Sequence, residues 1–104
     1  MATSKEFIEY ISEELNNYYE VRYRKMFGEY MIYINDKPLL LICDDTVYVK
    51  KLKELEELMQ DASQKIPYKG AKEHYILDID DISLSIKVIN ILERIIPFPK
   101  KRKK

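Results

Sequence analysis

The sequence predicts an α+β domain, and three observations carry that prediction. Apolar residues recur at helical spacing near both ends of the chain. Residues 21–50 have the β-branched and aromatic texture of strands, broken by turn formers at short intervals. Apolar residues make up 46% and charged residues 35% of 104 positions, which places the chain among folding domains and away from disordered ones. At this length one continuous core is expected, with residues 1–99 forming a single domain and 100–104 a disordered basic tail.

The first element is a helix over residues 4–17. Thr3 followed by Glu6 has the capping-box pattern, and Phe7, Ile8, Ile11, Leu15 and Tyr18 fall on one stripe. Glu6, Glu9, Glu13 and Asn16 lie opposite, so this helix should rest on a sheet with one side in water. An antiparallel meander of about four strands follows, over residues 21–27, 29–34, 37–43 and 46–50. Gly28 supplies a turn or bulge after the first strand, while Asn35-Asp36 and Asp44-Asp45 make the later turns. Leu39, Leu40, Leu41 and Ile42 are apolar without alternation, which predicts a central third strand covered on both faces. Val47 and Val49, set against Thr46, Tyr48 and Lys50, predict a fourth strand wet on one side.

Leu52, Leu55, Leu58, Met59 and Ala62 recur among acidic residues, giving a second helix over 52–63. A loop containing Pro67 and Gly70 leads to a short fifth strand at 73–78, and Asp80 or Asp81 caps a last helix that ends near Ile96, before Pro97. That last helix is apolar around most of its circumference, more than one sheet face requires. Either the first helix and the Pro97-Phe98-Pro99 segment cover the surplus or a second copy of the chain does. In the second case Leu84, Val88, Ile91, Leu92 and Ile95 form the self-association face of a homodimer.

Composition excludes several classes of function. Cys43 is the only cysteine, so no intramolecular disulfide forms and a cytoplasmic location is expected. No run approaches the ~18 apolar residues of a membrane span, and the N-terminus lacks the basic head and apolar stretch of an export signal. Formal charge is zero, but Lys100, Lys101, Arg102, Lys103 and Lys104 hold five of the 18 basic side chains, leaving 13 against 18 acidic ones in the body. An acidic body disfavours a domain whose main work is gripping nucleic-acid backbone.

No catalytic apparatus assembles from the residue types. His74 is the only imidazole and sits in a short strand, where a half-buried packing or hydrogen-bonding role is expected; Cys43 ends an apolar strand and reads as a core residue. Asp78, Asp80 and Asp81 lack the spaced ligands and glycine of a calcium loop, and helix capping explains them. Gly28 and Gly70 are too far apart for a glycine-rich phosphate loop. No enzyme, metal or cofactor is therefore expected. The basic features that remain are Arg22 and Arg24 on one side of the first strand, Lys50-Lys51 after the fourth, and the tail. They suit a protein partner or, in an alternative reading, nucleic acid bound by the basic strand and residues 100–104.

The run Arg22-Tyr23-Arg24-Lys25-Met26-Phe27-Gly28-Glu29-Tyr30, the later Cys43-Asp44-Asp45-Thr46-Val47-Tyr48-Val49-Lys50, and Pro67-Tyr68-Lys69-Gly70-Ala71-Lys72 resemble the N-terminal domain of the TfoX/Sxy competence regulators. Ser4-Lys5-Glu6-Phe7 extends the resemblance over nearly the whole chain; Met31 departs from it, standing where a glycine commonly follows Gly-Glu-Tyr. The resemblance implies a fold like that of type III secretion chaperones, no enzymatic activity, and a role in switching on DNA-uptake genes with a cyclic-AMP-responsive activator. It also implies a stand-alone copy of the domain, without the helical C-terminal domain of the competence-regulating members. A transcription factor is the kind of partner expected, met through Arg22, Arg24, Lys25 and Tyr30. The motif has a structural reading as well, in which Glu29 pairs across strands with Arg22 or Arg24.

Overall fold

A computed structural model describes residues 3–26 and 29–98. Its elements run α1 (Lys5–Asn16), β1 (Val21–Met26), β2 (Glu29–Ile34), β3 (Lys37–Cys43), β4 (Thr46–Lys50), a 3-10 turn (Lys53–Leu55), β5 (Gln64–Lys65), β6 (His74–Ile76) and α2 (Ile82–Ile95). The six strands form one antiparallel sheet in the order β1-β2-β3-β4-β6-β5, with both helices on one face. The α+β class is as the sequence predicts, and β2, β3 and β4 have the predicted bounds.

Two tight turns set the register of the meander. Asn35 and Asp36 have φ of 52° and 70°, and Asp44 and Asp45 have φ of 56° and 55°. Positive φ at both central residues is the condition of a type I′ turn, whose twist matches that of the strands it joins, and Asn and Asp tolerate it better than other side chains. The turns place Tyr30, Ile32, Ile34, Leu40, Ile42, Val47, Val49 and Tyr75 toward the helices. There they meet Ile8, Ile11 and Leu15 of α1 and Val88, Ile89 and Leu92 of α2 in one continuous core.

The unbroken apolar run of β3 has two causes. Leu41 points to the face away from the helices, as a strand covered on both sides requires. The register also shifts between Ile32 and Tyr33, which face Leu40 and Pro38, so Leu39 is an extra residue that joins its neighbour Leu40 in the core. Pro38, which has no N–H for the ladder, sits beside this irregularity.

Both helix starts are pinned to loops. Ser4, rather than the expected Thr3, is the N-cap of α1: its Oγ accepts from the Phe7 N–H at 3.2 Å. Thr3 instead ties the helix to the β3–β4 turn, its Oγ1 accepting from Asp45 N–H while Ser4 N–H donates to Asp45 Oδ1 at 2.8 Å. Asp81 caps α2 by accepting from Leu84 N–H at 3.2 Å. At the other end of the meander Asn35 accepts from Glu20 N–H through Oδ1 and donates to Glu93 of α2 through Nδ2, each at 3.2 Å.

Three expectations need correction. The helix over 52–63 is a single 3-10 turn followed by irregular turns. Leu55 and Met59 are buried as the pattern implied, but Leu52 provides no side-chain cap and the segment must bend to reach the far edge of the sheet. β5 was not anticipated; Gln64 and Lys65 pair with Tyr75 and His74, and the predicted 73–78 strand narrows to residues 74–76. β4 is not wet on one side, because Tyr48 is 3% exposed and joins Leu41 and Cys43 in a second apolar cluster.

The core and the cap have separable energetics. Leu40→Ala removes a side chain with no exposed surface and is expected to lower the unfolding free energy by about 2–5 kcal/mol in urea titrations. Ser4→Ala should lower it by about 0.5–2 kcal/mol.

Candidate functional site

The helix-free face of the sheet carries a concavity. In antiparallel pairs directly opposed residues share a face, so the register assembles rows across it. One row runs Arg24, Met31, Leu41, Tyr48, Ile76; a second includes Arg22 and Tyr33 on β1 and β2, and Lys50, His74 and Lys65 on β4, β6 and β5. The chain between β5 and β6 crosses to this side. Gly70, with φ of 91°, turns it back, and Tyr68, Ala71 and Lys72 form a wall. A half-open groove of about 890 Å³ results, floored by Met31, Leu41 and Tyr48 and rimmed by Lys50, Lys72 and His74. That volume lies in the range of ligand and peptide clefts.

Ion pairing divides the charges of this face into two groups. Two of its carboxylates are ion-paired, Asp36 with Arg22 at 3.3 Å and Glu73 with Lys51 at 3.0 Å, while Glu29 accepts from the neutral Cys43 thiol at 3.4 Å. Among the described residues Arg24, Lys50, Lys65 and Lys72 make no ion pair. Arg22 is further held by stacking over the Tyr33 ring at 4.7 Å, which fixes its guanidinium beside the groove.

The expected partner residues separate. Arg22 and Arg24 are exposed on the groove face, whereas Lys25 is opposite Tyr30 on the helix side, where Tyr30 is buried in the core. Tyr30 is therefore a packing residue, its ring edge-on to Tyr23 at 5.6 Å. The expected pairing of Glu29 with Arg22 or Arg24 gives way to other contacts, since Glu29 is level with Met26 and reaches Cys43. Along α2, Val88 and Leu92 have no exposed surface and belong to the chain's own core; Leu84 and Ile91 are half-buried and Ile95 is exposed. Lys100, Lys101, Arg102, Lys103 and Lys104 lie outside the described residues.

His74 and Cys43 do not form a dyad. Cys43 is level with Thr46 and His74 with Lys50, four residues further along β4. At ~3.3 Å per residue that is roughly 13 Å. His74 Nδ1 is 2.7 Å from the Lys72 carbonyl and its ring stands edge-on to Tyr48, a half-buried hydrogen-bonding role. The Cys43 sulfur is 3.2 Å from the Pro67 carbonyl, and burial, reinforced by the Glu29 carboxylate, pushes its pKa from 9.0 up to about 11. Asp80 accepts from the Tyr10 hydroxyl and Asp81 caps α2; no group of ligands suited to a metal exists among the described residues.

A small antiparallel sheet with helices on one face and a grooved opposite face makes this an α+β domain. Residues 13–83 match the family model of the TfoX N-terminal domain, and the chain belongs to that family. It is also similar to an "Uncharacterized 12.7 kDa protein in trpE 5'region" of Spirochaeta aurantia, at 26% identity over 99% of this chain and 91% of the relative. Membership suggests a regulatory role, and the family is not one of enzymes. Among the described residues no helix is long and apolar enough to cross a membrane.

The raised thiol pKa has a signed consequence. A thiol whose folded pKa exceeds its unfolded value stabilises the fold fully below pH 9 and loses that contribution as pH rises through about 11. Thiolate absorbance of the native protein should accordingly titrate near pH 11, and a disulfide reagent at neutral pH should label Cys43 readily only after denaturation. Rapid native labelling would contradict this.

Proposed function

We propose that this chain is a non-enzymatic protein-interaction module of the TfoX N-terminal type, acting in transcriptional regulation or a related bacterial pathway. The helix-free sheet face is its docking surface. Family membership supports the regulatory setting. The observation that carries the choice of surface is the convergence of exposed Arg22 and Arg24 with the groove on one face.

The physical reasoning is economical. A sheet face backed by a packed core is rigid, so a partner that settles on it orders little of this chain and loses less free energy in doing so. Half-buried Met31 and Pro38 and the exposed Tyr68 ring offer apolar area along the groove, and the charges stand at its edge, the arrangement of a hot spot within a polar rim. The alternative of direct nucleic-acid binding draws on the same two arginines. It fits less well, because the chain outside residues 100–104 carries 13 basic against 18 acidic side chains.

The test is affinity capture from the native host with the wild-type chain and with Arg22→Glu/Arg24→Glu. A protein of the transcription apparatus retained by the wild type and reduced about tenfold or more by the double variant is the expected result. Equal recovery on both would remove this face from the reading, and salt-sensitive retention of DNA in place of protein would favour the alternative.

A further inference from the structure

We propose that the groove on the helix-free face takes an extended acidic segment of a partner protein, apolar side chains on Met31, Pro38 and Tyr68 and carboxylates against Lys50, Lys72 and Arg24. This rests on the interaction-module reading and gives the partner's chemistry.

Charge distribution is the first support. The body carries 13 basic against 18 acidic side chains when residues 100–104 are set aside, yet the acidic excess is on other surfaces. Glu6, Glu9 and Glu13 are exposed on α1; Glu54, Glu56, Glu57 and Asp61 are exposed in the segment after β4. The groove face instead holds Arg24, Lys50, Lys65 and Lys72 without ion-pair partners among the described residues, and its carboxylates Asp36, Glu73 and Glu29 are each engaged. An acidic ligand meets cations that need no prior pair broken. A basic ligand would have to compete with Arg22 for Asp36 and with Lys51 for Glu73, leaving it Glu29, which accepts from the Cys43 thiol.

Shape is the second. Along a strand, side chains on one face repeat every second residue at ~6.6 Å, and adjacent strands stand ~4.8 Å apart. The floor crosses β2, β3 and β4 through Met31, Leu41 and Tyr48, with apolar surface left open at Met31, Pro38 and the exposed Tyr68 ring, Arg24 beyond one end of that row and Lys50 and Lys72 at its side. A chain laid over these strands and alternating apolar with acidic residues sends one set down to the apolar surface and the other to the rim.

Two pools of dye-labelled peptides of about ten residues would test this, the length being roughly what crosses a small sheet in extended form. One pool alternates Asp or Glu with Leu, Ile, Phe or Met; the other replaces the acidic positions with Lys or Arg. Binding to the full chain is read by fluorescence anisotropy, with the Met31 methyl resonance reporting location. The acidic pool should bind at least about tenfold more tightly than the basic pool and shift the Met31 signal. Lys50→Glu/Lys72→Glu should lose about tenfold or more, and the milder Lys50→Gln/Lys72→Gln should fall between, with circular dichroism showing both folded. Equal binding of the two pools, an unchanged double variant, or tighter binding of a single-stranded oligonucleotide of similar length would each overturn the proposal. If the acidic pool fails while host-protein capture still depends on Arg22 and Arg24, the groove assignment falls and the module reading stands; loss of that capture as well removes both.

Discussion

The positive backbone angles at Asn35-Asp36 and Asp44-Asp45 govern this structure more than any other local feature. Side chains of a strand alternate between faces, so slipping one pairing by a single residue would send Ile32, Leu40 and Val47 outward and carry Arg24 and Lys50 into the core. Two-residue loops forbid that slip. The same residues fasten the helices: Asp45 holds the start of α1, and Asn35 holds the start of β1 and the end of α2. Left-handed conformations are costly for most side chains, but here polar ones repay that cost with hydrogen bonds to elements distant in sequence.

The unequal faces arise from the two excursions that follow the meander. Between β4 and β5 the chain passes over the helix side, where Leu55 and Met59 fill the core beside α2. Between β5 and β6 it passes over the other side, where buried Pro67 approaches Cys43 and the residues beyond it wall the groove. Two helices and the first excursion cover one face over β2, β3 and β4, leaving Tyr23 and Lys25 of the β1 edge exposed there. A single loop of about eight residues cannot cover the other, so part of it stays open as a consequence of topology.

The meander was legible because turn chemistry and strand texture agree at every step. Residues 29–34, 37–43 and 46–50 could be bounded from the sequence alone. On α2, Val88, Ile89 and Leu92 reach the core, while Ile95 of the same apolar arc is exposed. The segment after β4 shows what periodicity leaves open. Leu55 and Met59 are buried as a helix would bury them, and Met59 N–H even reaches the Leu55 carbonyl at 2.8 Å, but without a cap the helix does not propagate. β5 had no signal because both of its residues are exposed and polar and its place is set by backbone pairing with β6. Tyr48 looked like a solvent-facing residue by alternation; a loop twenty residues later covers it, which no local pattern records. The groove was hidden for the same reason. Arg22 and Arg24 stood out as basic residues on one side of a strand, whereas Met31, Leu41, Lys50 and Lys72 become neighbours only through pairing of four strands and a returning loop.

Electrostatics on such a face has a limited but definite use. At physiological ionic strength an exposed charge is screened within ~8 Å, so Arg24, Lys50, Lys65 and Lys72 act on a ligand only when it is nearly docked. Exposed ion pairs contribute about 0–1 kcal/mol each, too little to hold a partner by themselves. For the proposed occupant, affinity then comes from water displaced off Met31, Pro38 and Tyr68, and the cations decide which apolar chain is allowed to displace it. Freedom from ion pairs matters in that setting because a cation already engaged would have to surrender one carboxylate to gain another, for little net change. Arg22, held by Asp36 and Tyr33, is such a case, whereas its neighbour Arg24 makes no ion pair among the described residues.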